Sequence, residues 1–494
     1  MEISGGAFGR SRERFEAMVS WLEDQQAHEL AHGELEARLQ AEGRELLRAL
    51  TQDHLDLRAA RETRLEQVVG ADEVRRTHAE TGRTRGLATV FGPVTVRRLT
   101  YRERGHASLH PAEGVLNLPT EKYSHGLRLL AARDSARGSF AEAAETIARI
   151  SGQRLGNRQV EELTGRAAVD FDQFYAQRPR HLSRAGDVLV LSYDGKGVVM
   201  RPGALRPATA AAAARATPKL ATRLSRGEKR HRKRMAEVGA VYDATPAPRT
   251  PEDILAPPGR HHPGPTRPSA HGKWLTASIT AEAGEVIGQV FDEAERRDPD
   301  HHRRWVVLVD GNAHQIERTH AQAQAHHVKV TIVIDFVHVL EYVWKAAWSL
   351  YHEGDPAAEK WVRTQGLRIL HGHSDQVATT LRTTTADLPA SQRAGPDACA
   401  RYLTNAGPYL DYPTALTQGW PIATGVIEGA CRHLIKDRMD LTGARWALPG
   451  AEAVLKLRAL LSNGDLDDYW DYHLTQEKHR IHEANYQNGV IPPI

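Results

Sequence analysis

The pattern of apolar and polar residues changes early in the chain. From about Phe15 to Arg76, leucine, alanine, glutamate and arginine recur at helical spacing, which predicts two or three helices. Residues 85–105 then alternate β-branched residues with arginines around Gly92-Pro93, which predicts a hairpin with one basic face. The pattern leaves open whether this face packs inside the protein or meets a partner.

A pair of helices is predicted next, in residues 138–168. Ser139 can cap the first helix and Asn157 the second, with a short glycine-containing connection between them. This spacing is typical of a helix-turn-helix whose second helix enters a DNA groove, with Arg158 and Gln159 near its exposed start. A helical hairpin that only packs against its neighbours has the same pattern, so both interpretations stay open.

The pattern then becomes that of an α/β protein. Residues 188–194 begin with a continuous apolar run, and two more strands are predicted at 235–246 and 273–281. Helices then alternate with strands that end at Asp310 and Asp335. Three strands in meander followed by this alternation is the element order of a ribonuclease-H-like domain. The short connections predict parallel pairing for the last strands.

The predicted fold class is α/β: a ribonuclease-H-like mixed sheet core, interrupted by an all-helical insertion and preceded by an α-helical and β-hairpin N-terminal region. Six regions are predicted in chain order. They are an N-terminal helical region, a β-hairpin region, a helix-turn-helix-like DNA-binding region, the first part of the core, the helical insertion and the C-terminal part of the core, at residues 1–84, 85–125, 126–180, 181–340, 341–420 and 421–494.

Composition limits the function classes. The chain has 494 residues, enough for two to four domains, and no apolar run approaches the length of about eighteen residues that a membrane span needs. Its start lacks the apolar centre of a secretory signal, and its cysteines are Cys399 and Cys431 alone. These features predict a cytoplasmic protein without a membrane partner, a disulfide framework or a cysteine zinc site.

Positive charge is concentrated in one segment. The net charge is only +3, but residues 219–235 carry eight basic residues against a single acid, Glu228. This segment is either a solvated loop or an arm that contacts phosphates with strong salt dependence. The candidate DNA contacts within it are Lys229, Arg230, Arg232, Lys233 and Arg234.

Two apolar runs end in Asp-Gly, at Asp194 and at Asp310. Asp-Gly between apolar runs is first of all a hairpin turn signal. The residues after Asp310 are helical, however, which predicts that this aspartate ends a buried strand, where open α/β sheets bind ligands. In a ribonuclease-H-like sheet the strands of Asp194 and Asp310 are neighbours, so we expect the two carboxylates to lie together.

Metal-dependent phosphodiester chemistry usually needs a third acid. Mg²⁺ and Mn²⁺ prefer oxygen ligands, and two such ions about 4 Å apart can activate a nucleophile and stabilise the leaving oxygen. Glu428 is the first candidate, because Gly425 and Gly429 flank it and allow close approach, although an ordinary exposed helical glutamate has the same pattern. Asp335 is the alternative, and with His338 it can instead orient the site or contact substrate.

Four stretches resemble the insertion-sequence transposases of the ISKra group, which are relatives of the Mutator-like enzymes. They are SYDGKGV, VVLVDGNAHQ, IDFVHVLEYVWKAAW and the run from GVIEGACRHLIKDRM to AEAVLKLRAL. The resemblance covers roughly residues 85–475 and is strongest from 188 to 463. It implies a DDE triad of Asp194, Asp310 and Glu428 that holds Mg²⁺ or Mn²⁺.

The resemblance also implies a DNA transposase that cleaves and joins phosphodiester bonds at insertion-sequence ends. Its partners would be double-stranded DNA with terminal inverted repeats and target DNA, bound by a homodimer or larger assembly in the cytoplasm, at the nucleoid. A ribonuclease-H-like nuclease and a catalytically decayed DNA-binding protein are the alternatives. In one departure, Asp335 and His338 stand where Mutator-like relatives have a Cys-x-x-His pair, so the role of that pair is not carried over.

Residues after Glu428 supply further candidates. His433 is a possible accessory residue, and Lys436, Arg445 and Trp446 are candidate DNA contacts. Trp344 and Trp348, one helical turn apart, predict core packing first and base stacking second.

Overall fold

The computed structural model describes residues 6–178, 184, 186–215, 232–255, 267–441 and 443–494. Contacts divide the chain into two compact units, one formed by Met1–Gln177 with Gly464–Ile494 and the other by Arg178–Asn463. Among the described residues, none of the helices combines the length and the apolar character needed to span a bilayer.

The first unit combines helices with two small antiparallel sheets. Its helices up to residue 177 are α1 (Gly9–Glu23), α2 (Gln25–His28), α3 (His32–Arg61), α4 (Pro111–Val115), α5 (His125–Arg137), α6 (Phe140–Ser151), α7 (Asn157–Ala167) and α8 (Phe171–Gln177). Its strands are β1 (Val68–Val69), β2 (Arg75–Arg76), β3 (His78–Thr89) and β4 (Gly92–Arg102). The predicted N-terminal helices and the hairpin are confirmed, although the helices end at Arg61 and the hairpin begins earlier, at His78.

The hairpin of β3 and β4 carries arginines that are paired within the unit. Arg85 and Arg98 both lie against Glu113, with N–O distances of 3.3 and 2.7 Å. Val94 and Val96 of β4 are buried in a small apolar cluster. The predicted basic face is therefore largely neutralised by neighbouring carboxylates.

The caps of α6 and α7 differ from each other. The Ser139 hydroxyl accepts a hydrogen bond from the amide of Glu142 at 3.1 Å, as the predicted cap requires. For α7 the prediction was wrong, because Asn157 is the first helical residue and Gly156 is the cap. The amide of Gly156 donates to the side chain of Gln159 at 3.0 Å, so Gln159 satisfies the helix start.

The second unit is built on a five-stranded mixed sheet. Its strands are β5 (Val188–Val199), β6 (Lys233–Thr245), β7 (Ser269–Ser278), β8 (Trp305–Val309) and β9 (Val330–Ile334), in the spatial order β7-β6-β5-β8-β9. β6 pairs antiparallel with β5 and β7, whereas β8 pairs parallel with β5 and β9. The predicted meander and the predicted parallel pairing are confirmed.

Helices flank this sheet and form a long insertion after β9. They are α9 (Pro207–Arg215), α10 (Pro251–Ile254), α11 (Ala283–Arg297), α12 (Ala313–Ala325), α13 (Phe336–Ala347), α14 (Pro356–Leu370), α15 (Ser374–Thr384), α16 (Ala390–Ala406), α17 (Tyr412–Thr417), α18 (Gly425–Ala430), α19 (Asp437–Met439) and α20 (Leu448–Asn463). A π-helical turn, Cys431–Lys436, joins α18 to α19. Residues 341–420, all of which are described, contain helices and no strand, as predicted.

A last helix, α21 (Leu466–Ile481), belongs to the first unit. Its His473 is buried and its Nδ1 lies 2.6 Å from the carboxylate of Asp170. Arg480 donates to the same carboxylate at 2.8 Å, and the Tyr469 hydroxyl donates to the carbonyl of Ala167 at 2.7 Å. These buried bonds attach the C-terminal segment to α7 and to the residues that follow it.

A buried ion network attaches α11 to the sheet of the second unit. Asp243 on β6 is fully buried and pairs with both Arg297, at 3.1 Å, and Arg303. Arg297 also donates to Glu293 at 2.6 Å. Burial lowers the pKa of Arg297 to about 10, although the Asp243 charge opposes this shift.

We expect Asp243→Ala to lower the free energy of unfolding by about 3–5 kcal/mol, because two buried guanidinium groups lose their shared carboxylate. Urea unfolding of the full chain, followed by circular dichroism, measures the loss. Asp292→Ala on the exposed face of α11 is the matched control and should change stability by no more than about 0.5 kcal/mol. Equal losses in the two variants would contradict the role of the network.

Candidate functional site

Strand pairing aligns Asp194 with Asp310. β5 and β8 run parallel in a register that pairs Ser192 with Leu308. Asp194 lies two residues after Ser192 on β5, the central strand of the sheet, and Asp310 lies two residues after Leu308, directly after the end of β8. Both residues are partly buried. The expectation that these two aspartates lie on neighbouring strands is therefore confirmed.

Asp335 extends this row of acids by one strand. The register of β8 and β9 pairs Val309 with Ile334, so Asp310 and Asp335 follow at equivalent positions. Asp335 is only 2% exposed, and its carboxylate accepts hydrogen bonds from the amide of Val337 at 2.9 Å and from the hydroxyl of Thr424. Because Asp335 is almost fully buried whereas Asp194 and Asp310 are only partly buried, Asp335 is better suited to positioning than to direct coordination.

The Asp194-Gly195 pair is not a hairpin turn, since β5 continues through it to Val199. One oxygen of Asp194 accepts a hydrogen bond from the amide of Gly195 at 2.7 Å. The other lies 3.5 Å from the thiol of Cys431, on the π-helical turn after α18. Burial raises the pKa of Cys431, and the Asp194 charge adds to the shift, so the thiol stays protonated and can donate.

The Asp310-Gly311 pair is a strand-to-helix turn whose form depends on glycine. Gly311 has φ +90°, and a Cβ there would lie 2.9 Å from the hydroxyl of Tyr402 on α16. That hydroxyl donates to the carbonyl of Asp310 at 2.9 Å, and one Asp310 carboxylate oxygen accepts from the amide of Asn312 at 2.9 Å. The helical insertion therefore contacts the second aspartate directly, through Tyr402.

Glu428 lies in the first turn of α18, within the field of the aspartates. Partial burial raises the pKa of Glu428, and the negative charges of Asp335 and then Asp194 raise it further. The charge of His338 acts in the opposite direction. The structure thus brings Glu428 near Asp194 and Asp335, which are the two aspartates with the largest effect on its pKa.

The glycines beside Glu428 do not have the expected role. A Cβ added at Gly425 or at Gly429 would meet no atom within 4 Å. Close packing therefore does not require glycine at either position.

The acids do not form a complete metal site as they stand. No group of three or more His, Cys, Asp or Glu side chains among the described residues could hold a metal ion. The donors that are present, carboxylate oxygens of Asp194, Asp310 and Glu428, are of the type that Mg²⁺ and Mn²⁺ prefer. Joint coordination would require their side chains to turn toward one another, away from bonds such as that to the Gly195 amide.

His338 borders the acids on the α13 side. Its Nδ1 lies 3.7 Å from the carboxylate of Glu341, and its ring packs edge-on against Tyr342 and Tyr402 at 5.5 and 5.9 Å between centroids. Further along α13, Trp344 and Trp348 stack at 5.1 Å, but Trp348 is 46% exposed. The prediction of core packing is therefore wrong for Trp348.

The predicted contacts on α7 are partly engaged within the helix. Arg158 is 90% exposed, and its guanidinium pairs with Glu162 at 3.0 Å. Gln159 accepts the capping hydrogen bond from Gly156 described above. Of the two, Arg158 is the exposed one, although its guanidinium is paired with Glu162.

The basic segment is described in part. Lys229 and Arg230 lie outside the described residues. Lys233 and Arg234 open β6, so these two belong to the sheet rather than to a loop or an arm, and Arg232 directly precedes the strand. Arg234 Nε donates to the carbonyl of Ile279 at 2.7 Å.

The candidates after Glu428 divide into exposed and buried residues. His433, Lys436 and Arg445 are exposed. Trp446 is buried, and its indole Nε1 donates to the carbonyl of Met439 at 3.0 Å. Its predicted contact with DNA does not agree with this burial, because the ring already packs inside the unit.

Sequence reasoning missed three residues of the site. Tyr402 binds the Asp310 turn, Thr424 binds Asp335, and Cys431 contacts Asp194. The only available signal was for Cys431, whose position three residues after Glu428 places it on the same side of a helix.

A scan against models of known protein families finds no match to the chain, and a search of curated proteins finds no similar sequence.

We expect Gly311→Ala to destabilise the fold by about 1–3 kcal/mol, because alanine is strained at this φ and its Cβ would push against Tyr402. Differential scanning calorimetry measures the change. Gly284→Ala, at the start of α11, has no positive φ and no contact closer than 3.6 Å, and should not lower stability. A neutral Gly311→Ala variant would show that the turn tolerates a side chain.

We expect Glu428→Gln to stabilise the protein at pH 7, by no more than about 1 kcal/mol because solvent screens the exposed carboxylate. The pKa of Glu428 is higher in the folded protein than in the unfolded chain, so the unfolded chain releases this proton first as pH rises. The charged carboxylate therefore lowers stability above the folded-state pKa and has no effect below about pH 4, where it is protonated in both states. Urea unfolding measured from below about pH 4 to pH 7 should show that the gain in stability disappears in acid. Glu359→Gln on the exposed surface of α14 is the control, and a gain that persists in acid would contradict this origin.

Proposed function

We propose that this chain is a DNA transposase of the ISKra type, which cleaves and joins phosphodiester bonds at insertion-sequence ends. The observation that carries the proposal is the alignment of Asp194 and Asp310 on neighbouring parallel strands, with Glu428 close enough for Asp194 to raise its pKa. The strand order β7-β6-β5-β8-β9 supports it, because a meander followed by two parallel strands is the arrangement of a ribonuclease-H-like core. A homodimer or larger assembly on DNA belongs to the same proposal.

The carboxylates of Asp194, Asp310 and Glu428 would hold Mg²⁺ or Mn²⁺. When bound, such ions activate the attacking water or 3′-hydroxyl and stabilise the charge that develops on the leaving oxygen. Burial raises the pKa of Glu428, and repulsion from Asp335 and Asp194 raises it further; positive charge between the acids would relieve this repulsion, which supports cation binding.

Neighbouring residues would hold these acids in place. Asp335 fixes the start of α18 through Thr424, four residues before Glu428. The protonated thiol of Cys431 donates to Asp194 from the same helical segment. Asp194 and Asp335 are therefore both linked by hydrogen bonds to the helical run that carries Glu428.

Exposed basic side chains that follow Glu428 along the chain are available for DNA phosphates. Lys436 follows Glu428 on the same helical run, and Arg445 lies shortly beyond it. Contacts of this kind bind every DNA sequence and weaken as salt rises. They would bring the backbone of the substrate to the acids without specifying its sequence.

We expect Asp194→Asn, Asp310→Asn and Glu428→Gln each to reduce DNA cleavage by at least about a hundredfold, because each removes a negative ligand or a stabilising charge from the reaction centre. The substrate is a supercoiled plasmid that carries the gene with its natural flanking DNA, incubated with Mg²⁺ or Mn²⁺, and nicking and excision are measured on gels. Binding of the flanking DNA, measured by gel shift, should be retained. Glu359→Gln is the matched control.

The outcomes separate the competing functions. Cleavage without joining would indicate a nuclease, and binding without cleavage by the unaltered protein would indicate a decayed DNA-binding protein. Either result would overturn the proposal. Unchanged cutting by Asp194→Asn or Asp310→Asn would overturn the triad itself.

A further inference from the structure

An open pocket of about 620 Å³ lies beside the Asp310 turn, within the second unit. Gly311 forms its edge next to the aspartate, and residues of α12, α13 and α16 form its walls. This volume falls within the range of about 300–1,000 Å³ that is usual for small-molecule sites. The triad does not explain the pocket, because none of the three triad acids lines it.

One wall of the pocket is aromatic. Tyr342 and Tyr402 stack face to face, with centroids 4.0 Å apart and planes inclined by 9°. Lys345 Nζ lies over the Tyr342 ring, 4.5 Å from its centroid, so both faces of Tyr342 are occupied and the ring face left for stacking is that of Tyr402. A flat aromatic ligand suits such a ring face better than an aliphatic one.

Hydrogen-bonding groups surround the rings. His320 Nε2 lies 3.1 Å from the hydroxyl of Tyr409, and both residues line the pocket. Arg401 and Asn405 line it too and are exposed. Arginine donates hydrogen bonds and an amide both donates and accepts, so the rim can pair with the polar edge of a nucleobase.

Tyr402 connects the pocket to the candidate site. Its ring lines the pocket, while its hydroxyl donates to the carbonyl of Asp310 at 2.9 Å. A ligand that shifts this ring must also shift the Asp310 turn, since Gly311 leaves no room between them.

We propose that this pocket binds one unstacked nucleobase of the DNA substrate, and that Tyr402 is a positioning residue that couples its occupancy to the placement of the Asp310 carboxylate. The inference rests on the proposed function for its substrate class. It goes further in assigning the base a binding site between α12 and the helical insertion, and in linking that site to one particular acid.

Base binding is tested without cleavage. The probe is a short single-stranded oligothymidine that carries one 2-aminopurine. The full chain is titrated into the probe in the presence of EDTA, which prevents metal-dependent cleavage. Stacking of the 2-aminopurine on a tyrosine ring quenches its fluorescence, so quenching reports binding. We expect Tyr402→Ala to weaken binding of the probe roughly tenfold, the usual effect of losing a stacking partner. Tyr342→Ala should weaken binding too, because it removes the ring against which Tyr402 packs. Tyr402→Phe should bind normally, because it keeps the ring. Tyr351→Ala, outside the pocket, is the control.

The coupling is tested with Tyr402→Phe, which removes the hydroxyl and keeps the ring. We expect kcat for plasmid nicking to fall roughly tenfold while KM stays unchanged, because binding is intact and only the placement of Asp310 is impaired. Tyr351→Phe should cleave like the unaltered protein. A Tyr402→Phe variant with unaltered kcat would overturn the coupling.

Failure of the pocket and failure of the proposed function give different results. If both alanine variants bind the probe like the unaltered protein, the nucleobase pocket is overturned, whatever the cleavage assay shows. If the unaltered protein cuts no DNA, but quenches the probe more strongly than both alanine variants do, the base site stands and the transposase proposal fails.

Discussion

Parallel pairing of β5 with β8 and of β8 with β9 is the constraint on which the candidate site depends. A parallel register fixes which residues end up side by side, and a shift by one position would turn each side chain to the other face of the sheet. Here the register sets Asp194, Asp310 and Asp335 at equivalent positions on three adjacent strands. Acids that are far apart in the chain are thereby brought together at one end of a buried sheet. Each carboxylate is solvated less well there than it would be in water.

The second layer of the site is held by weaker and more local bonds. Thr424 and Cys431 connect the helical run of Glu428 to Asp335 and Asp194, and Tyr402 connects the insertion to Asp310. Each of these residues acts on a different acid. The sheet therefore fixes the row of aspartates, whereas the helices fix the orientation of the groups around it.

Local patterns predicted the sheet well, because buried strands need continuous apolar runs and their ends need turn residues. They also identified Asp310 correctly as the end of a strand. Patterns failed where a contact joins segments that are distant in sequence, as for Tyr402. They also failed for Trp446, because the sequence does not show whether the polar N–H of a tryptophan finds its partner inside the protein or outside it. Asn157 illustrates a third cause, because Gln159 competes for the same helix start and satisfies it from inside the helix. Gly464 ends α20 with a positive φ, but no sequence signal indicates that α21 joins the N-terminal unit.

The π-helical turn Cys431–Lys436 has a geometric consequence for the helix that carries Glu428. A π-turn holds one more residue than an α-turn, and one residue of an α-helix corresponds to a rotation of about 100° about the axis. The extra residue therefore sets the angle about the helix axis between Glu428 and Lys436, the last residue of the turn. Removing one residue from this turn would rotate Lys436 about the helix axis by roughly 100° relative to Glu428, so the length of the segment matters as well as its chemistry.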